Sequence, residues 1–105
     1  MAKAKLKIEK QGEGCIIVGV AHSNISEDIA FEHLDELEFL ATTAGAVTKK
    51  HFLQKLPVPN PKTYVGSGKL LEIHEYITQH KIDLVIFDDE LSPSQLRNIE
   101  RELNC

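Results

Sequence analysis

CIIVGVA, Cys15–Ala21, carries no polar side chain apart from its thiol and is rich in β-branched residues. A strand with one wet face alternates apolar and polar positions, whereas a run without alternation fits a strand covered on both faces, as in a parallel sheet. DLVIFD, Asp83–Asp88, repeats the pattern. Between them Ser26 is placed to cap a helix, and Ala30, Leu34, Leu37 and Ala41 recur at helical spacing until Gly45 offers a left-handed stop. A second strand fits Ala46–Leu56, where Lys49, Lys50, His51 and Lys55 mark an exposed edge.

The stiff connection PVPNP, Pro57–Pro61, cannot sit in a central strand. Leu70, Ile73 and Ile77 then share one face of a second helix. After the Asp83–Asp88 strand, Ser92 suits an N-cap, Pro93 the first helical position, and Leu96, Ile99 and Leu103 a buried stripe of a third helix. Alternation of strand and helix predicts a three-layer α/β fold: a short parallel sheet with right-handed crossovers and helices on both faces. With Cys15–Ala21 central, the strand order is 2-1-3. A further strand is expected beside Asp83–Asp88, so the chain reads as a piece of a longer design. Its open sheet edge is expected to favour self-association.

At 105 residues the chain is one domain at most. Twelve Lys plus Arg against sixteen Asp plus Glu give a net charge of −4, which excludes the broad basic field of an autonomous nucleic-acid binder. The exception is the start, residues 1–13, where Lys3, Lys5, Lys7 and Lys10 surround Glu9; it reads as a solvated tail or a phosphate contact, ahead of an α/β unit over 14–105. No apolar run approaches the roughly 20 residues of a membrane span, so a cytoplasmic address is the expectation. Cys15 in its apolar run and Cys105 at the last position form neither a disulfide framework nor a metal spacing.

Three stretches invite a chemical reading. Gly66-Ser67-Gly68-Lys69 opens a helix like a phosphate loop, but G-x-x-x-x-G-K-[ST] would need a glycine where Thr63 stands and a hydroxyl where Leu70 stands. What remains is a helix start with small residues, able to attract an anion or an RNA phosphate with help from Lys69. Asp88-Asp89-Glu90 follows a strand at the end where α/β sheets bind ligands, yet the first strand ends in Ala21-His22-Ser23-Asn24 with no carboxylate partner for magnesium. An acidic turn favoured by the next helix dipole accounts for it. His74-Glu75 begins H-E-x-x-H, but Thr78 stands at the second ligand position; His33 and His51 lack ligand spacing, and His22 lies at the switch point. No metal site is expected.

Several motifs together closely resemble the N-terminal domain of the HflX family of ribosome-associated GTPases. They are Thr43-Ala44-Gly45, Gln54, Pro59 with Tyr64-Val65-Gly66-Ser67-Gly68-Lys69, and Phe87-Asp88-Asp89-Glu90-Leu91-Ser92-Pro93-Ser94-Gln95-Leu96-Arg97-Asn98. The resemblance covers roughly Glu36–Asn104. It implies an α/β subdomain followed by a helical hairpin and a GTPase domain of the same parent chain, which would use GTP and Mg2+. It also implies association with the large ribosomal subunit, its rRNA and proteins, in ribosome splitting, rescue or biogenesis. The chain itself has no P-loop, D-x-x-G or N-K-x-D motif, so it is expected to be non-catalytic and to need no cofactor. Asp88, Asp89, Ser92, Gln95, Arg97 and Asn98 are the expected ribosome or interdomain contacts. Gly66, Ser67, Gly68 and Lys69 are the expected nucleotide or RNA-phosphate contacts. The alternative is a weak ATP-binding or ATPase module built on that same helix start.

Overall fold

A computed structural model describes residues 14–22 and 25–103. The basic start, Ser23, Asn24, Asn104 and Cys105 lie outside the described residues. Six elements alternate: β1 (Gly14–Ala21), α1 (Glu27–Thr43), β2 (Val47–Lys55), α2 (Ser67–His80), β3 (Leu84–Phe87) and α3 (Pro93–Leu103). The strands form one parallel sheet in the order β2-β1-β3, with one register shift between Cys15 and Ile16. The expected three-layer α/β architecture and the 2-1-3 order are both present.

Why β1 lacks alternation is plain in its neighbours. Ile16, Val18 and Val20 pack into the cluster built with Leu70, Ile73 and Ile77 of α2 and Ile99 and Leu103 of α3. Cys15 and Ile17 face the other way, onto Leu34, Leu37 and Ala41 of α1. Each parity of the strand therefore has its own apolar layer, and water reaches neither. At Gly19 the α1 side comes so close that an added Cβ would lie 2.8 Å from Leu34 Cδ2.

Local chemistry fixes the ends of the helices. Ser26 Oγ accepts from the Ile29 amide at 3.3 Å. At the far end of α1, Gly45 takes φ 98°, its N–H donates to the Thr42 carbonyl at 3.0 Å and the Ala46 N–H to the Ala41 carbonyl at 2.9 Å, the paired closing bonds of a Schellman stop. Ser92 and Gln95 form a reciprocal capping box: the Gln95 amide donates to Ser92 Oγ at 3.1 Å and the Ser92 amide to Gln95 Oε1 at 2.9 Å.

The structure departs from expectation at Leu96, which is 47% exposed and outside the buried stripe. Only Ile99 and Leu103 of α3 are buried. The first turn of α3 instead seats through the polar side chain of Gln95 on the Asn60 carbonyl, and Leu96 stays on the wet side of that contact. β3 is also shorter than the Asp83–Asp88 reading. The flanking amides still join the sheet, Asp83 to the Gly14 carbonyl at 3.0 Å and Asp88 to the Val18 carbonyl at 2.9 Å.

Candidate functional site

The chain after β2 returns to the carboxyl edge of the sheet through a tight turn. Asn60 and Tyr64 exchange backbone hydrogen bonds at 2.9 and 2.8 Å. Inside the turn, Asn60 Oδ1 accepts from the amides of Lys62 and Thr63 at 2.8 and 3.2 Å, the bonding habit that makes asparagine a turn residue. α3 clamps the turn from outside: Gln95 Nε2 donates to the Asn60 carbonyl at 2.8 Å and Asn98 Nδ2 to the Lys62 carbonyl at 3.0 Å. Arg101 braces Asn98 at 2.6 Å. The side-chain amides of Gln95 and Asn98, two of the residues expected at a ribosome or interdomain contact, are engaged within the chain. Arg97 is exposed, as are Ser92 and Glu90.

Tyr64 anchors the turn in the core with its backbone at φ 68°, a left-handed conformation uncommon for a residue with a side chain. Its ring meets Phe87 edge-on at 5.7 Å. Burial first, then the negative charge of Asp89 and Asp88, hold the phenol well above its ordinary pKa, while a hydrogen bond with the Val20 backbone opposes the shift.

The glycine-rich start of α2 is organised by a residue of β2. Gly66 is the N-cap and has no side chain to cap with; its N–H donates to Gln54 Oε1 at 2.8 Å. A Cβ on Gly66 would stand 3.2 Å from Gln54 Nε2, so the glycine admits the glutamine. Gly68 is different, because among the described residues a Cβ there would meet no atom within 4 Å beyond its neighbours and its own helix backbone. Lys69 folds back on Glu72 at 3.2 Å. Beside this start lies a groove of about 600 Å³ whose lining includes Lys62, Thr63, Ser67, Leu71, His74 and Glu102.

A second hollow of about 260 Å³ opens at the switch point between β1 and β3. His22, His33, Asp88 and Asp89 are on its wall. His33 Nδ1 stands 3.9 Å from Asp88 Oδ2. The strand-end acids thus meet imidazoles where a carboxylate partner was sought, while Asp89 Oδ1 accepts from the Glu90 amide at 2.8 Å. The two expected stretches, Gly66–Lys69 and Asp88–Asn98, are joined by the Asn60–Tyr64 turn between them. The polar clamps that join them, Gln54 to Gly66 and Gln95 to Asn60, pair residues far apart in sequence and carry no local signal.

No helix among the described residues is long and apolar enough to cross a membrane. Residues 31–105 match the family model described as GTP-binding GTPase N-terminal. The chain is 50% identical over 93 residues to the GTPase HflX of Flavobacterium psychrophilum, covering 89% of this chain and 22% of that relative. It is 43% identical over 88 residues to the GTPase HflX of Lacrimispora saccharolytica, covering 84% and 21%. With the GTPase HflX of Escherichia coli it shares 36% identity over 94 residues, covering 90% and 21%. The chain therefore spans about a fifth of the length of these relatives. A match that runs from the second turn of α1 through α3, with the glycine turn and the Ser92 cap inside it, leads to one conclusion: the chain belongs to the GTP-binding GTPase N-terminal family, as the N-terminal domain of an HflX protein.

Proposed function

We propose that this domain is a non-catalytic module that helps seat an HflX-type GTPase on the large ribosomal subunit, in the cytoplasm, for splitting, rescue or biogenesis of ribosomes. The family match over residues 31–105 carries the reading. The GTPase domain of the parent chain supplies the GTP and Mg2+ chemistry, since the motifs for it are missing from these 105 residues.

The surface supports a particular orientation. α1 bears Glu27, Asp28, Glu32, Asp35, Glu36 and Glu38 and no lysine or arginine, so phosphate is repelled from that face. Lys62, Lys69 and Arg97 lie on the opposite side, where Arg101 and the acids Glu72, Glu75, Glu100 and Glu102 of α2 and α3 leave the face near neutral overall, so it repels phosphate less than α1 does. Gly68 adds to this. Glycine in the middle of a helix costs roughly 0.5–1 kcal/mol relative to alanine and somewhat less in a first turn, and no contact among the described residues requires it at Gly68. Its missing Cβ leaves the α2 start open to close approach from outside, as an RNA backbone would need.

Co-sedimentation with purified large ribosomal subunits across a salt series tests the reading. Binding is expected to weaken steeply with salt. Gly68→Ala is expected to leave the fold as stable or slightly more so, by at most about 0.5 kcal/mol, while weakening retention, and Arg97→Ala to weaken retention at unchanged stability. Equal retention of all three proteins, or none by the parent, refutes the proposed contact surface. The groove beside Ser67 and Lys62, at about 600 Å³, supports ATP binding as a second reading, because its size suits a nucleotide. ATP binding unchanged by Lys62→Ala in the groove wall and by Lys69→Ala and Gly68→Val at the helix start, or absent altogether, removes it.

A further inference from the structure

Away from that surface, a polar cluster joins α1 to the edge strand. Asp35 and Glu38 are three residues apart on α1 and share a face. His51 sits midway along β2, paired with Ile17 of β1, and reaches the same place from the strand. Glu38 Oε1 is 2.6 Å from His51 Nε2, and Asp35 Oδ1 is 4.0 Å from His51 Nδ1. One ligand atom from each of the three residues lies within 4.8 Å of the other two. No lysine or arginine among the described residues pairs with either carboxylate. Lys50, the next residue along β2, points across the sheet over Phe52 and Tyr76, at 5.1 and 5.3 Å from the ring centres.

We propose that Asp35, Glu38 and His51 form a site for a divalent transition-metal ion that ties α1 to β2. One imidazole nitrogen with two carboxylates is a mixed nitrogen–oxygen donor set, which suits zinc, cobalt or manganese; calcium and magnesium favour oxygen alone. Three protein ligands leave at least one position for water, the open pattern of zinc sites that are not purely structural. An ion would take the place of the proton that His51 and Glu38 share. Asp35, 74% exposed, is free to turn inward as the third ligand. The plain alternative is a surface histidine–glutamate hydrogen bond with Asp35 as a bystander. The two differ in what Asp35 does: beside the hydrogen bond it stays at the far ring nitrogen, Nδ1, at 4.0 Å, and in the metal site it swings across to the ion between Nε2 and Glu38.

Zinc titration calorimetry on the chain, in a Cys105→Ser background that removes the terminal thiol, separates them. The expected result is one saturable site, a higher Tm with zinc, and loss of both effects in His51→Ala. Asp35→Asn is expected to weaken binding by at least about tenfold without changing Tm in the absence of zinc. Because Asp35 is exposed, that variant keeps its fold even if His51→Ala does not. Three outcomes overturn the site: no saturable binding at millimolar zinc, binding unaltered in His51→Ala, or loss in His51→Ala with Asp35→Asn unaffected, which would leave a lone histidine contact.

Discussion

Tyr64 shows how one side chain sets a limit on the whole fold. Its phenol is held in the neutral form above the ordinary value of about 10, chiefly by burial and secondarily by Asp89 and Asp88. The unfolded chain releases that proton near the ordinary value and the folded chain later. Stability is therefore intact below about pH 10 and falls as the pH climbs from there toward the folded pKa, by up to roughly 1.4 kcal/mol per pH unit. Urea unfolding of the parent and of Tyr64→Phe across this range checks the sign: the variant is expected to lose the part of the alkaline decline that belongs to Tyr64. A slope equal in both proteins would place that decline elsewhere. Little of this was legible in TYVGSGKLLEI, where Tyr64 reads as one more residue before a glycine turn. Its left-handed backbone and its contact with Phe87 depend on strands that meet only in the folded chain.

At the scale of elements, capping and periodicity were readable because they are local. Ser26, Gly45, Ser92 and Pro93 act within a turn of where they stand in sequence, and each does what its residue type suggests. Leu96 was misread for a tertiary reason: helical spacing locates a stripe, and only the neighbouring turn decides how far along α3 that stripe is covered. Gln95 is the residue that decides it, accepting from Ser92 while donating to Asn60. Gln95→Ala is expected to cost about 1–2 kcal/mol, since it removes half of a capping box and the bond that holds the turn. Hydrogen exchange should quicken at the Ser92 amide and in the 60–64 turn and stay slow in β1. Uniform quickening through β1 would mean that the clamp supports the whole sheet. The cluster of Asp35, Glu38 and His51 escaped sequence reading in the same way, because the partners stand on different elements and only the pairing of β2 with β1 sets them opposite one another.

For the whole molecule, alternating strands and helices with a doubly covered β1 were enough to give layers and strand order. The contrast between the acidic α1 face and the nearly balanced α2–α3 face needed the sheet to sort the helices onto opposite sides. The outer edge of β3 is unpaired among the described residues, at the far side of the sheet from β2. Unpaired strand edges template further pairing. Sedimentation velocity is expected to show association that grows with concentration and declines in Val85→Pro, whose backbone N–H faces outward because the Asp88 amide, three residues on, bonds inward to Val18; a monomer at every concentration would show that the short β3 edge is too weak a template. The fold of that variant is checked alongside, because Val85 packs against the cluster that holds α2 and α3.

The central place of β1 between two later strands has one further consequence, for the order of events during synthesis. The most apolar strand leaves the exit tunnel before the other two, its β2 partners follow only after a complete helix, and Cys15 to Val18 meet Leu84 to Phe87 only after a second helix has been made. Such distant pairings fold slowly. Until β2 emerges Ile16, Ile17 and Val18 have no strand to pair with, and until β3 follows one edge of β1 stays open, which makes this short segment the natural handhold for a chaperone on the nascent chain and the stretch most exposed to misassembly if translation stops early.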